Sequence, residues 1–197
     1  MAATLCALLA AGIAVQTLLG AGVDRGPRIR ALRPKADAFV SQVNRNQNFG
    51  HARELKVDSS PTFRSYVLFD VDLRSIDVQQ VSLLLYSRTR SPGGYQVRLV
   101  GGRWRERRIT FANAPGVSPG FVSSGPLRAR TWKAVDVTSL ITGNEKGISF
   151  ALTTAAATGA EFSSREAGLH GPRLVVEHQS STTAQSTTTN GELQTIP

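Results

Sequence analysis

From about residue 34 to residue 178 the chain alternates apolar and polar residues with a period of two, and Gly or Pro clusters interrupt the pattern at short intervals. Tyr95, Val97 and Leu99 fall on one side of an extended segment, with Gln96 and Arg98 on the other. Ile148, Phe150 and Leu152 alternate with Ser149, Ala151 and Thr153, and Val135 and Val137 oppose Trp132, Ala134 and Asp136. Successive side chains of a strand point to opposite faces, so each of these segments reads as a half-buried antiparallel strand. Segments 64–71 and 80–86 are apolar on both faces and read as central strands. Ser91-Pro92-Gly93-Gly94, Ala114-Pro115-Gly116, Ser118-Pro119-Gly120, Thr142-Gly143-Asn144 and Gly171-Pro172 supply the turns. No stretch of this core sustains a helical period, and no internal repeat is present. The pattern predicts an all-β domain of about eight to ten short strands packed as an antiparallel β-sandwich.

The two ends read differently. Residues 5–22 are an almost uncharged run of Leu, Ala, Ile, Val and Gly that includes Cys6, followed by Asp24 and a basic stretch with Arg25, Arg28, Arg30 and Arg33. Such a run is a secretory signal segment or a short membrane anchor. Met1–Thr4 carries no Lys or Arg, which departs from the usual signal sequence, whereas the small residues Gly20, Ala21 and Gly22 suit a signal peptidase. Residues 179–197 are dominated by Ser, Thr, Gln and Asn and cannot bury enough surface to offset chain entropy. The expected organisation is a leader or anchor over 1–24, a basic linker over 25–33, the sandwich over 34–178 and a disordered Ser/Thr-rich tail over 179–197. It implies a secreted or cell-envelope protein that meets a membrane only through an uncleaved anchor.

Composition narrows the chemistry. Lys and Arg total 23 against 14 Asp and Glu, a formal net charge of +9, and the sequence pI is about 10.8. Such a balance fits an anionic-ligand surface and equally Arg spread over solvated strand faces, so charge alone does not decide the partner. The cations are scattered, with no run of roughly five like charges and no basic groove interleaved with aromatics, so nucleic acid is not the expected partner. A single Cys closes no intramolecular disulfide, and three His without Cys partners give no zinc pattern. No Gly-x-Ser-x-Gly elbow and no phosphate-binding Gly-Lys-Ser/Thr loop occurs, and His51, His170 and His178 lie in loop or terminal segments with no nucleophile nearby. The chain is not expected to be an enzyme.

The order of particular words along the core carries more. They begin with Ala36-Asp37-Ala38-Phe39-Val40, Asn48-Phe49-Gly50, Leu55-Lys56-Val57-Asp58 and Arg64-Ser65-Tyr66-Val67-Leu68-Phe69-Asp70. Trp104-Arg105-Glu106, Ile109-Thr110-Phe111-Ala112-Asn113-Ala114-Pro115, and Trp132 with Val135-Asp136-Val137-Thr138 follow. Ser149-Phe150-Ala151-Leu152, Phe162-Ser163-Ser164-Arg165-Glu166 and Pro172-Arg173-Leu174-Val175-Val176 close the series. This succession resembles the DNRLRE domain, also called carbohydrate-binding module family 96, which is related to the disaggregatase-type modules. The resemblance implies a jelly-roll-like antiparallel β-sandwich that binds polysaccharide without catalysis, with acidic, uronate-containing chains as the ligand class. It also implies basic side chains for the uronate carboxylates. The matching positions are Lys56, Arg64 and Arg165, with Arg53 and Arg105 adjoining the same words. The chain carries no lyase or hydrolase module that would name the sugar.

Read residue by residue, Arg suits this task because its planar fork pairs a carboxylate through two parallel hydrogen bonds. Structural alternatives stand beside that reading: Arg64 pairing with Asp58 across a strand, and Arg165 pairing with Glu166. Trp104 is expected to face inward from a strand whose other face carries Arg103, Arg105 and Arg107, and Trp132 is expected in the core. Asp37, Asp58 and Asp136 offer hard oxygen ligands for a structural calcium, against the alternative that each caps a turn. The competing function is a structural or adhesive cell-surface sandwich that binds no sugar.

Overall fold

The structure, a computed structural model, describes residues 27–179. The apolar run over 5–22 and the tail from 180 onward lie outside the described residues. Eleven strands are formed: β1 (Arg28–Leu32), β2 (Ala36–Ser41), β3 (Glu54–Ser59), β4 (Thr62–Asp72), β5 (Asp77–Ser87), β6 (Gln96–Leu99), β7 (Val122–Ser123), β8 (Thr131–Asp136), β9 (Lys146–Thr153), β10 (Ala160–Ser163) and β11 (Arg173–Gln179). Two 3-10 turns, Thr138–Leu140 and Arg165–His170, are the helical pieces among the described residues.

All pairings are antiparallel and run in the order β1-β11-β5-β10-β3-β4-β9-β6-β7, with β2 added to β4 and β8 to β5. The path doubles back on itself at β3. Residues 54–57 of this strand pair with β10, whereas Asp58 and Ser59 pair with β4. At the corner the Ser65 hydroxyl accepts from the Lys56 N–H at 2.9 Å and donates to the Lys56 carbonyl at 2.8 Å, satisfying backbone groups that a simple ladder would pair. Two layers result, one carrying β1, β11, β5, β8 and β10, the other β2, β4, β9, β6 and β7.

Between the layers lie Val81, Leu83, Leu85, Phe162, Leu174 and Val176 from one side and Val67, Phe69, Val97, Ile148, Phe150 and Leu152 from the other, all buried in one cluster. The alternation in β6, β8 and β9 therefore has the phase that the sequence predicts, whereas β5, read as apolar on both faces, alternates buried Val81, Leu83 and Leu85 with half-buried Ser82, Leu84 and Tyr86. The outer face of β4 is covered as well. Ala38, Val40, Tyr66 and Ala151 pack with Ile109 beneath the excursion between β6 and β7, against Trp104, Phe111 and Val117. This second cluster is why residues 64–71 are apolar on both faces.

Two expectations are corrected. The segment read as a basic linker over 25–33 contains β1, an edge strand that pairs with β11 from Arg28↔His178 to Leu32↔Leu174. Its exposed arginines are the kind of charge that blunts a sheet edge, and they disguised the strand. The Arg103–Arg107 segment is a turn instead of a strand: the Arg105 carbonyl accepts from the N–H groups of both Arg108 and Ile109, each at 2.9 Å. Its orientation is as expected, because Trp104 packs edge-on against Tyr66 and donates to the Ser149 hydroxyl at 2.8 Å, while Arg103, Arg105 and Arg107 are exposed.

Candidate functional site

The candidate residues divide between a partly buried ionic knot and more open surfaces. The knot forms where the β6–β7 excursion meets β2 and the 3-10 turn after β10. Arg165 donates through Nε to Glu106 Oε1 at 2.7 Å and through Nη2 to Oε2 at 2.8 Å, and its Nε lies 3.0 Å from Glu166 Oε1. Glu106 Oε1 also accepts from the Asp37 N–H at 2.9 Å, and Asp37 Oδ2 accepts from the Arg165 N–H at 2.8 Å. Asn48 locks the excursion by donating to the carbonyls of Glu106 and Ile109, each at 2.7 Å. A Cβ on Gly50 would collide with the Glu106 carbonyl, so the backbone here closes only on glycine.

Asp37 is buried, and its Oδ1 has no hydrogen-bond partner. Burial pushes its carboxyl up to about 8, and the neighbouring Glu166 and Glu106 charges push the same way against the Arg165 N–H. Asp37 is thus largely neutral at pH 7, and the cation that the cluster holds is Arg165.

The guanidinium of Arg165 is engaged by Glu106 and Glu166, the arrangement expected of a structural pair. Lys56 is engaged too: its Nζ lies 3.7 Å from Glu54 and 3.5 Å from Glu161, and 5.6 Å from the Phe39 ring centroid. Arg64 makes no pair with Asp58. Asp58 sits opposite Phe63, while the Arg64 guanidinium lies 4.9 Å above the Phe111 ring with Arg45 at 5.3 Å, and its Nε is buried without a hydrogen-bond partner. Arg53 and Arg105 are exposed. Arg53 adjoins the knot through its carbonyl, which accepts from the Ser164 N–H at 3.2 Å, and Arg105 precedes Glu106 in the chain. The fold therefore gathers Arg53, Arg105 and Arg165 at one end and sets Arg64 apart, on the outer face of β4.

Asp37, Asp58 and Asp136 form no common ligand group. Asp58 caps its own turn through Ser60, at 3.0 Å. Asp136 accepts from the Thr138 hydroxyl and N–H at 2.6 and 2.9 Å, bonds that hold its carboxyl below the usual range. The carboxylates that do converge on Asp37 are Glu106 and Glu166, with ligand atoms within 4.8 Å of one another.

Trp132 is not in the core. It is 42% exposed on the outer face of β8, where its ring meets Tyr86 of β5 edge-on at 5.5 Å, and His170 lies 4.1 Å from Tyr86. The alternation that buries Val135 and Val137 turns Trp132 outward, and that phase was readable in the sequence.

No curated protein matches the chain. The model of carbohydrate-binding module family 96 matches residues 28–178, from the first residue of β1 to within one residue of the end of β11. The match spans the whole sandwich, including the edge strand that the sequence pattern alone had missed. The chain belongs to carbohydrate-binding module family 96.

Proposed function

We propose that this chain is a non-catalytic, secreted or envelope-associated module that holds acidic, uronate-containing polysaccharide. The observation that carries the reading is the state of its cations. Among the described residues, ion pairs take up Lys35, Lys56, Arg74, Arg88 and Arg165, and every other Lys and Arg lacks a carboxylate within 4.0 Å. Arg53, Arg64 and Arg105 belong to this uncommitted set. Unpaired guanidinium groups favour a polyanion whose carboxylates repeat along a chain. Membership of a carbohydrate-binding family makes a polysaccharide the natural polyanion, and the apolar leader with its Thr-rich counterpart at the other end supports export.

Affinity electrophoresis of the full chain in gels cast with alginate, pectin or a neutral glucan tests this. Retardation by the acidic polymers, relieved by added salt, is expected. Migration unaffected by any of them would replace this reading with a structural or adhesive surface module.

A further inference from the structure

We propose that the outer face of β5 and β8 is a stacking platform for one pyranose ring of the bound polysaccharide, with Trp132 as its floor and Arg173, across β5 on β11, as the cation on the same face. This rests on the acidic-polysaccharide reading above and adds a contact for that ligand on the layer opposite Arg64.

Three rings are assembled there from separate elements. Tyr86 and Trp132 are cross-strand partners, with their rings at 73° to one another. His170 arrives from the end of the 3-10 turn Arg165–His170, in which Gly168 takes a φ of +69° and redirects the chain. Its ring is inclined 30° to Tyr86 and lies 6.3 Å from Trp132 at 43°. Tyr66, Tyr95, Phe69, Phe150 and Phe162, by contrast, are at most 1% exposed. The sandwich has filled its core without the Trp132 ring, yet positions that ring against two others at the surface.

The neighbouring row on the same face leaves space and adds charge. Leu84 pairs with Ala134 on one side and with Arg173 on the other, and same-face rows are about 7 Å apart along a strand. Ala134 is exposed and too small to cover the indole. Arg173 forms no salt bridge among the described residues, and its Nη2 donates to the carbonyl of Leu169, the residue before His170, at 3.2 Å, which steadies the guanidinium. Next to it Leu169 is 77% exposed.

A pyranose presents C–H groups that carry slight positive charge, and these suit the negative face of an aromatic ring. A uronate adds a carboxylate at the ring's edge, which a steadied Arg takes with directed hydrogen bonds. The platform supplies both, and it lies on a strand, where the scaffold positions side chains more firmly than a loop does.

The test uses the full chain and alginate, with pectin, a neutral glucan and a single-stranded oligonucleotide as comparisons. Trp132→Ala is expected to weaken alginate binding at least tenfold with an unchanged far-ultraviolet dichroism spectrum, Trp132→Phe to recover part of the loss, and Arg173→Ala to weaken alginate binding. Arg74→Ala, whose guanidinium is already taken up by Asp72, is the control and should bind as the parent does. Parental alginate binding by Trp132→Ala overturns the platform while leaving the function above standing. Absence of alginate and pectin binding by the parent overturns that function and the platform with it. Tighter Trp132-dependent binding of the oligonucleotide, or of the neutral glucan, than of alginate overturns the assignment of a uronate to this face, as does concentration-dependent dimerisation through Trp132 without sugar binding.

Discussion

Removal of the Glu106 carboxylate should loosen the joint that ties the β6–β7 excursion to the sandwich. In Glu106→Ala three hydrogen bonds disappear, from the Asp37 N–H and from Nε and Nη2 of Arg165. The Glu106 side chain is 12% exposed and that of Arg165 is 37% exposed, so the two ends of the pair are not equally protected from water. Hydrogen bonds to charged groups contribute roughly 1.5 to 3 kcal/mol each, but an exposed guanidinium recovers part of this from solvent, and Glu166 remains beside it. The Asp37 N–H, in contrast, is left without its acceptor next to a buried side chain. The net cost is about 2 to 4 kcal/mol. For a domain of about 150 residues that lowers the melting temperature by roughly 4 to 16 °C. Scanning calorimetry of parent and variant at pH 7 measures it, and Glu106→Gln should fall between them because it keeps one oxygen for Asp37 and Nε while turning an amide donor toward Nη2. A Glu106→Ala melt within about 1 °C of the parent would refute the knot as a structural joint.

Asp37 gives a pH dependence. Its folded carboxyl is raised to about 8 from an ordinary 3.8, so the native state holds a proton that the unfolded chain releases. This contribution is fully present below pH 3.8 and is lost as pH rises through about 8; melting temperatures across this window should fall more steeply for the parent than for Asp37→Asn, and parallel curves would refute the assignment. Tyr95 has a buried hydroxyl without a hydrogen-bond partner, and burial pushes its phenol well above the ordinary range. Tyr95→Phe removes that unpaired group and should match or exceed the parent by roughly 1 kcal/mol in denaturant melts, whereas a loss of that size would show that the hydroxyl has a partner. Gly50→Ala drives a methyl into the Glu106 carbonyl and should lower the denaturation midpoint clearly; an unchanged midpoint would mean that the backbone yields there. Arg165→Ala should cost stability before it costs polysaccharide affinity, and loss of affinity at an unchanged melting temperature would return Arg165 to the binding surface.

The fold was legible in the sequence because a half-buried strand writes its geometry directly into alternating residues, as in Ile148, Phe150 and Leu152. β1 was not, because Arg28 and Arg30 on an exposed edge carry the composition of a linker, and only the partner strand β11 shows why they are extended. The site was less readable. Arg165 and Glu166 are neighbours in sequence, so their pairing was among the expectations, but Glu106 is 59 residues away from Arg165 and no local pattern announces it. Arg64 likewise lies over Phe111, which reaches it only because the excursion folds back across β4. Trp132 illustrates a different failure. Its place opposite Val135 and Val137 is visible in the alternation, and this local phase overrides the general preference of Trp for the core. His170 could not have been joined to it from sequence, since the two meet through the turn at Gly168.

The most direct measurement is a calorimetric titration of the full chain with a defined oligouronate, repeated at about tenfold higher salt. Ion pairs that are partly exposed are screened over about 8 to 10 Å at physiological ionic strength and over less as salt rises. The account predicts saturable binding at low salt, clear weakening at high salt, and no comparable heat from a neutral oligosaccharide of the same length. Equal affinity for the charged and neutral sugars at both salt concentrations, or binding of neither, would contradict it.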